Sequence, residues 1–594
     1  MPTPEAARPA SARRVVPYAL LAGLLVLPAC TGADDGGTPT PEQTATSPSA
    51  APEATDVPTA APTTEATTTT DPTPEAAFGA YGIAAGHPAA VDVGMAVLGD
   101  GGNAVDAAVA AAFAMAVIEP LTSGPGGGGA TLVVPMPGST APGHPAAPTA
   151  YDYREVVQSS GVVPDSGTGV PGFVAGMALL HDEHGQLPWS ELLDPAIDLA
   201  QDGVQVSWFV AQELDSPAGR AATGPLPQFR ADGGSLLAEG DLLVQTDLAE
   251  TLTTIAEDPD DFYTGDLAAE LAQVDGIDRD GLAGYEVDVR EPPRGDVGDF
   301  QVLAAAPALS GVGLIQLLQV AGGAGVADVE PGSADYISAL THSWVIADES
   351  LQTVVGDPNF VDVPVDELTD AEQNGLLASD LGFEHAAAGP RTQVGLVADQ
   401  GAGIRTPAAD GNTTHLSVVD ADGLAVSMTN TITAFWGSGQ EVGGFFVNDH
   451  LRRFGVGRTD ANVPEAGRRP VSYMAPAVVL DDQDRPVLVV GSPGGRRIPN
   501  IQATVIARWA LHGQPLQEAV DAPRFHLEDD QLQVEQLPER VTADLTEMGY
   551  AVTPVPRSTS LFGSVQALEL DHSDGRLIGA VDQRRTGEWA SGQP

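Results

Sequence analysis

The chain has 594 residues, enough for several hydrophobic cores, and 43% of them are hydrophobic, as a globular protein requires. Acidic residues outnumber basic ones 81 to 26, for a formal charge of −55, and the basic residues are all Arg because the sequence contains no Lys. A chain so charged repels nucleic acid and anionic membrane surfaces, which sets nucleic-acid binding aside, and the acidity reads as a solvated exterior.

At the N-terminus Arg8, Arg13 and Arg14 precede "VVPYALLAGLLVLPA", an apolar run of 15 residues from Val15 to Ala29. A bilayer span needs roughly 20 residues, so a charged start and a short apolar run predict a secretory signal over 1–29. The run ends in "LPAC", which resembles the bacterial lipobox. That resemblance implies lipidation of Cys30, which is the sole cysteine and so excludes an intramolecular disulfide framework. Residues 30–76 are rich in Thr, Pro and Ala, with Val57 as the only sizeable apolar side chain. Nothing there offsets the entropy of ordering, so the segment is expected to be a disordered tether reaching about 35–40 Å. An exported protein anchored by lipid to the outer face of a bacterial membrane is the expectation, with no later stretch able to span.

Folded sequence is expected from about residue 77. "HPAAVDVGMAVLGDGGNAVDAAVAAAFAMAVIEP" predicts two helices separated by "GDGG", the second opening near Asn103 as N-cap. "GPGGGGATLVVPM" enters a strand, and Gly126 to Gly129 permit close backbone approach; no Lys-Ser/Thr follows, so it is not a phosphate loop. Residues 170–390 are mostly helical in pattern. After 410 the period changes: "THLSVVDADGLAVSMTN", "PAVVLDDQDRPVLVVGSPGG" and "SVQALELDHSDGRLIGAVD" each read as a hairpin, with a helix over "RRIPNIQATVIARWALHG". Helices with antiparallel strands suggest a layered α/β sandwich. The histidines are scattered without ligand spacing, His415 reads as a strand residue, and no metal or other cofactor is expected.

"GGNAVDAAVA", "GPGGGG", "YDYRE", "VPGFVAG", "TTHLSVVDADGLAVS", "RPVSYMAP" and "GSPGGRRI" occur in one order from about residue 79 to the C-terminus. In that ordered set the chain resembles the γ-glutamyltransferase family of N-terminal-nucleophile hydrolases. The resemblance implies an αββα four-layer sandwich built from both segments of a self-cleaving precursor. It implies cleavage of the Asn412–Thr413 bond, giving segments 77–412 and 413–594 that remain together as a heterodimer. Thr413 is then the nucleophile. A Thr hydroxyl needs a base, and a free α-amine with a pKa near ~8 supplies one on the same residue. By position, Gly494 and Gly495 match oxyanion-binding glycines, and Thr431 matches a threonine that hydrogen-bonds the nucleophile. Arg154 and Ser472 match groups on the substrate's α-carboxylate.

Some positions depart from the family's pattern. Tyr473 stands where the family has a second serine, and Thr433 stands where it has an asparagine. In "NDHLRRF", His450 replaces Gln or Glu, and Arg453 replaces the aspartate that binds the substrate's α-ammonium. The stretch from Phe454 to Ser472 is short for a lid loop. The expected activity is cleavage of γ-glutamyl amides, passing the acyl group to water or an amino-acid acceptor. One alternative keeps the chemistry on substrates without a free α-ammonium, as in glutaryl β-lactam acylases or poly-γ-glutamate depolymerases. A further alternative is a non-catalytic lipoprotein that binds a ligand in the same pocket.

Overall fold

The structure is a computed structural model that describes residues 78–380, 412–455, 459–528 and 530–594. The signal segment, Cys30 and the tether lie outside the described residues, as does the side chain of Asn412.

Two antiparallel sheets carry the fold. Their strands, in chain order, are β1 (Tyr81–Ala85), β2 (Gly128–Val134), β3 (Thr149–Asp152), β4 (Asp288–Arg290), β5 (Arg294–Val297), β6 (Phe300–Ala304), β7 (Asn412–Val419), β8 (Ala425–Thr433), β9 (Ala477–Leu480), β10 (Pro486–Gly491), β11 (Gln566–Asp571), β12 (Arg576–Ala580) and β13 (Glu588–Gly592). The first sheet runs β13-β1-β7-β8-β2-β3-β4 and the second β12-β11-β10-β9-β6-β5. The period-2 patterning explains how they stack. In β9, Ala477 and Val479 face a helical layer, while Val478 and Leu480 join Ala84, Leu132 and Leu568 in the core between the sheets. In β1, Ile83 and Ala85 face the other helical layer and Ala84 faces inward.

The outer layers follow from composition. Helix α1 (Pro88–Gly99) and helix α2 (Ala104–Ile118) cover the first sheet. Every residue of α2 is buried, which its small Ala side chains permit by letting neighbours approach closely. Asn103 caps it as expected: its side chain accepts from Val105 N and Asp106 N, and Asp106 reaches back to Asn103 N. Helices α3 (Gly311–Gly323), α4 (Ala334–Thr353) and α5 (Ile498–Ile506) cover the second sheet. The arrangement is the expected αββα sandwich.

The three hairpins fall where the alternation placed them. At the β7–β8 turn, Asp420 Oδ1 accepts from Asp422 N and Leu424 N, and Gly423 takes a φ of +82°. The described part of residues 170–390 is mostly helical, as its pattern predicted, and β4, β5 and β6 lie among those helices. These strands are short, bounded by Pro and Gly, and β6 pairs with β9, far away in sequence.

Candidate active site

The β7–β8 pairing sets Thr431 opposite Thr413. Thr413 Oγ1 lies 3.4 Å from Thr431 Oγ1, a loose contact for two hydroxyls, and Thr431 Oγ1 accepts from Thr433 N at 2.8 Å. The register shifts between Thr431 and Thr433, and Thr433 adopts a φ of +79°. This bulge turns the strand end toward a narrow cleft. The glycine-rich turn supports it from behind. A Cβ at Gly127 would collide with the Thr431 carbonyl, so only glycine lets the two backbones approach this closely.

Thr413, Thr431, Thr433, His450, Arg453, Ser472, Tyr473 and Gly495 all line this cleft, with Met474 and Ile498 as apolar wall. Gly494 adjoins it at the start of the turn into α5. Gly494 and Gly495 have φ of +142° and +58°, a conformation that favours glycine.

The 448–455 segment is fixed by its first two residues. Asn448 Nδ2 donates to Gly126 O and Gly169 O, and Asp449 Oδ1 accepts from Ala434 N. A 3₁₀ turn over His450–Gly455 then presents His450 and Arg453 to the cleft. His450 Nδ1 meets Glu155 Oε2 at 2.5 Å, with both side chains buried. A carboxylate only accepts, so Nδ1 carries the proton; burial pulls the imidazole's pKa down. Arg453 lies over the Tyr473 ring at 5.2 Å, and burial lowers its pKa as well. Among the described residues no carboxylate lies within ion-pair distance of the Arg453 guanidinium. Tyr473 is held in turn by Asp348 Oδ1 at 3.0 Å, and Asp348 also takes Arg496 Nη2 at 2.5 Å.

Arg154 requires a correction. It is fully buried and is not among the residues lining the cleft. Its Nε and Nη2 clasp Asp152, and its Nη1 donates to the Pro470 carbonyl, so it braces the segment leading to Ser472. The guanidinium that lines the cleft is Arg453. Asp449 and Glu441 are also off the cleft: Asp449 is held by Ala434 N and pairs with Arg452 at 3.6 Å, and Glu441 accepts from Gly444 N. Burial raises the Asp449 pKa to about 6.

His415 is a strand residue whose ring nitrogens meet Thr429 Oγ1 and Ser417 Oγ, and burial lowers its pKa to about 3. Among the described residues no His/Cys/Asp/Glu group is arranged to hold a metal, and no helix is long and apolar enough to cross a membrane.

A continuous match to the gamma-glutamyltranspeptidase family model spans residues 90–592. The chain belongs to the gamma-glutamyltranspeptidase family. It is 34% identical over 515 residues to the capsule biosynthesis protein CapD proenzyme of Bacillus anthracis, covering 86% of this chain and 91% of that protein. It is 32% identical over 547 residues to the glutathione hydrolase proenzyme of Escherichia coli strain K12, covering 85% and 90%. The crystal structure of cephalosporin acylase from Bacillus halodurans superposes with a TM-score of 0.74 at 24% identity, over 88% of this chain and 98% of that one, and so shares the fold.

As a gamma-glutamyltranspeptidase family member, the chain has the cleft threonines and the glycine pair where its motifs predicted them. Sequence reading missed three supporting residues: Glu155 behind His450, Asp348 behind Tyr473, and Arg585, which donates to the Thr413 carbonyl at 3.1 Å. Glu155 sits inside "YDYRE" and could have been flagged there. Asp348 and Arg585 carry no local pattern.

Proposed function

We propose that the chain is an autoprocessed amidohydrolase and acyltransferase that works through Thr413. The observation that carries the reading is one cleft holding Thr413, Thr431 and the turn of Gly494 and Gly495, in a family whose curated relatives are proenzymes. In maturation the Thr413 hydroxyl adds to the Asn412 carbonyl, the amide nitrogen leaves as an amine, and water hydrolyses the resulting ester. Asn412 ends as a carboxylate and Thr413 as a free terminus. That α-amine then takes the Thr413 hydroxyl proton as Oγ1 bonds the substrate's amide carbon. The N–H groups of Gly494 and Gly495 receive the developing oxyanion, a contribution of about 2.7–4 kcal/mol in comparable sites. The proton passes to the leaving amine, and water or an amine acceptor releases the acyl group.

The acyl donor is a γ-glutamyl-type amide. The cleft lining contains a guanidinium and no carboxylate among the described residues, which favours donors without a free α-ammonium: glutaryl amides, or γ-glutamyl groups whose α-nitrogen is acylated. The test is release of anilide from γ-glutamyl, N-acyl-γ-glutamyl and glutaryl substrates, with mass spectrometry of the stalled acyl-enzyme. An acyl adduct on Thr413 supports the reading. Ligand binding without turnover would instead identify a binding lipoprotein.

The export signal and "LPAC" support a lipid-anchored location outside the cell. Cys30→Ser is expected to abolish lipid labelling and release the protein from membranes, since a two-chain anchor holds where one chain is marginal. Undiminished labelling in that variant would contradict the anchor.

A further inference from the structure

The first sheet leaves Thr413 short of a neighbour. Strand β1 pairs with β7 only as far as Ala85 opposite Leu416, so Thr413 has β8 on one side and no strand on the other. Arg585 fills that side. It lies just before β13, the strand that pairs with β1, and its Nη1 donates to the Thr413 carbonyl at 3.1 Å. The guanidinium is buried, lying 4.6 Å from the centre of the Phe209 ring and 6.0 Å from that of Phe435.

The charges facing it come from three elements: Glu119 at the end of α2, Glu213 in the helix Trp208–Leu214, and Asp582 upstream on its own segment. Glu119 is itself buried, and its Oε1 has no hydrogen-bond partner among the described residues. This pair belongs to none of the roles assigned above.

We propose that Arg585, backed by Glu119, is a positioning residue that holds the Thr413 main chain in the cleft once the chain is cut there. The inference rests on Thr413 being the nucleophile with a free α-amine. Before cleavage the bond to Asn412 helps fix Thr413. After cleavage Thr413 is a chain end, and chain ends fray unless tied down. The Arg585 hydrogen bond is then one of the few contacts that set where the amine and the hydroxyl stand.

A second consequence is electrostatic. The α-nitrogen and carbonyl oxygen of one residue are about 3 Å apart, so the guanidinium lies within about 7 Å of the new amine. A cation so placed disfavours the ammonium form and keeps the amine available as base. Glu119, when ionised, opposes that effect, while Arg453 and His450, which line the cleft with Thr413, are the same in every variant compared.

The experiment uses the full mature chain and whichever anilide substrate the wild type turns over fastest. Arg585→Gln should lower kcat by about ten-fold with KM nearly unchanged, the cost of a misplaced reacting group. It should also move the acidic limb of the kcat/KM profile to higher pH by about one unit. Arg585→Lys should restore the limb. Glu119→Gln should move the limb the opposite way, to lower pH, by less than Arg585→Gln moves it, because Glu119, raised to about 7 by burial, is only partly ionised there. A merely structural role would not produce shifts of opposite sign.

Wild-type kcat and limb in a folded Arg585→Gln protein would overturn the proposal, as would limbs moving the same way in both variants. If Arg585→Gln does not fold, Glu119→Gln decides, and an unmoved limb there overturns it. Turnover surviving in Thr413→Ala would instead remove the reading of Thr413 on which the proposal rests.

Discussion

A guanidinium, that of Arg453, is stacked on Tyr473 in the same cleft as Thr413. Two like charges 4 Å apart repel by about 1 kcal/mol in water and about 4 kcal/mol at an effective dielectric of 20. That corresponds to roughly one to three decades in affinity. Free γ-glutamyl compounds should therefore be poor donors, and Arg453→Asp should raise the ratio of kcat/KM for a γ-glutamyl anilide over its glutaryl counterpart. A wild type that strongly prefers the γ-glutamyl anilide, with a ratio unmoved by the substitution, would show that Arg453 does not set this preference. Glu119 gives a stability prediction. Burial raises its pKa to about 7 from an ordinary value of 4.5. The folded state therefore holds this proton more tightly than the unfolded state, and stability is fully present below pH 4.5 and falls as pH rises to about 7. The loss amounts to about 3 kcal/mol at 1.36 kcal/mol per unit. Glu119→Gln should flatten that decline, as measured by urea denaturation at pH 4.5 and 8. An unchanged slope would contradict the assignment.

At the scale of elements, the site is built where β7 and β8 end against the glycine-rich turn. Gly127→Ala would push a methyl into the Thr431 carbonyl and Ile432, an overpacking cost of about 1–3 kcal/mol. It should lower the denaturation midpoint and slow the cut at Thr413 together, because Thr431 stands opposite Thr413; full cleavage speed in a destabilised variant would separate the two effects. The hairpins were legible because their alternation is local and their turns carry Asp-Gly or polar residues. Helix α2 was legible through Asn103, whose capping interactions lie within three residues of it. β4, β5 and β6 were not, because a strand of three to five residues acquires its identity from distant partners: β6 pairs with β9, and β4 with β3. The site divides the same way. Its threonines and glycines sit in recognisable motifs, whereas Glu155 meets His450 across 295 positions and Arg585 meets Thr413 across 172. Arg154, expected on the substrate's α-carboxylate, is spent on Asp152 and Pro470, while Arg453 lines the cleft.

Across the whole molecule, the Asn412–Thr413 bond divides strands that the sheets interleave. In the first sheet β1 lies between β13 and β7, and β8 lies beside β2; in the second, β9 pairs with β6. The two products share both cores, so cleavage is expected to leave one folded particle that separates only in denaturant. The charge of −55 acts on that particle as self-repulsion. Several of the Arg residues are withdrawn into the interior, Arg154, Arg468 and Arg524 among the largest fully buried side chains, which leaves the exterior more acidic still. Tm should therefore rise as NaCl increases from about 10 mM to about 500 mM, where the screening length falls below about 5 Å; a Tm that falls would contradict a repulsive surface. The proposed chemistry requires Thr413 to cut the chain before itself and then to serve as nucleophile. The most direct measurement is intact mass of purified wild type and Thr413→Ala under denaturing conditions. Wild type should yield a fragment of residues 413–594 beginning with a free Thr, and Thr413→Ala a single uncut chain. A purified Thr413→Ala protein that still cuts itself at the same bond would contradict that chemistry.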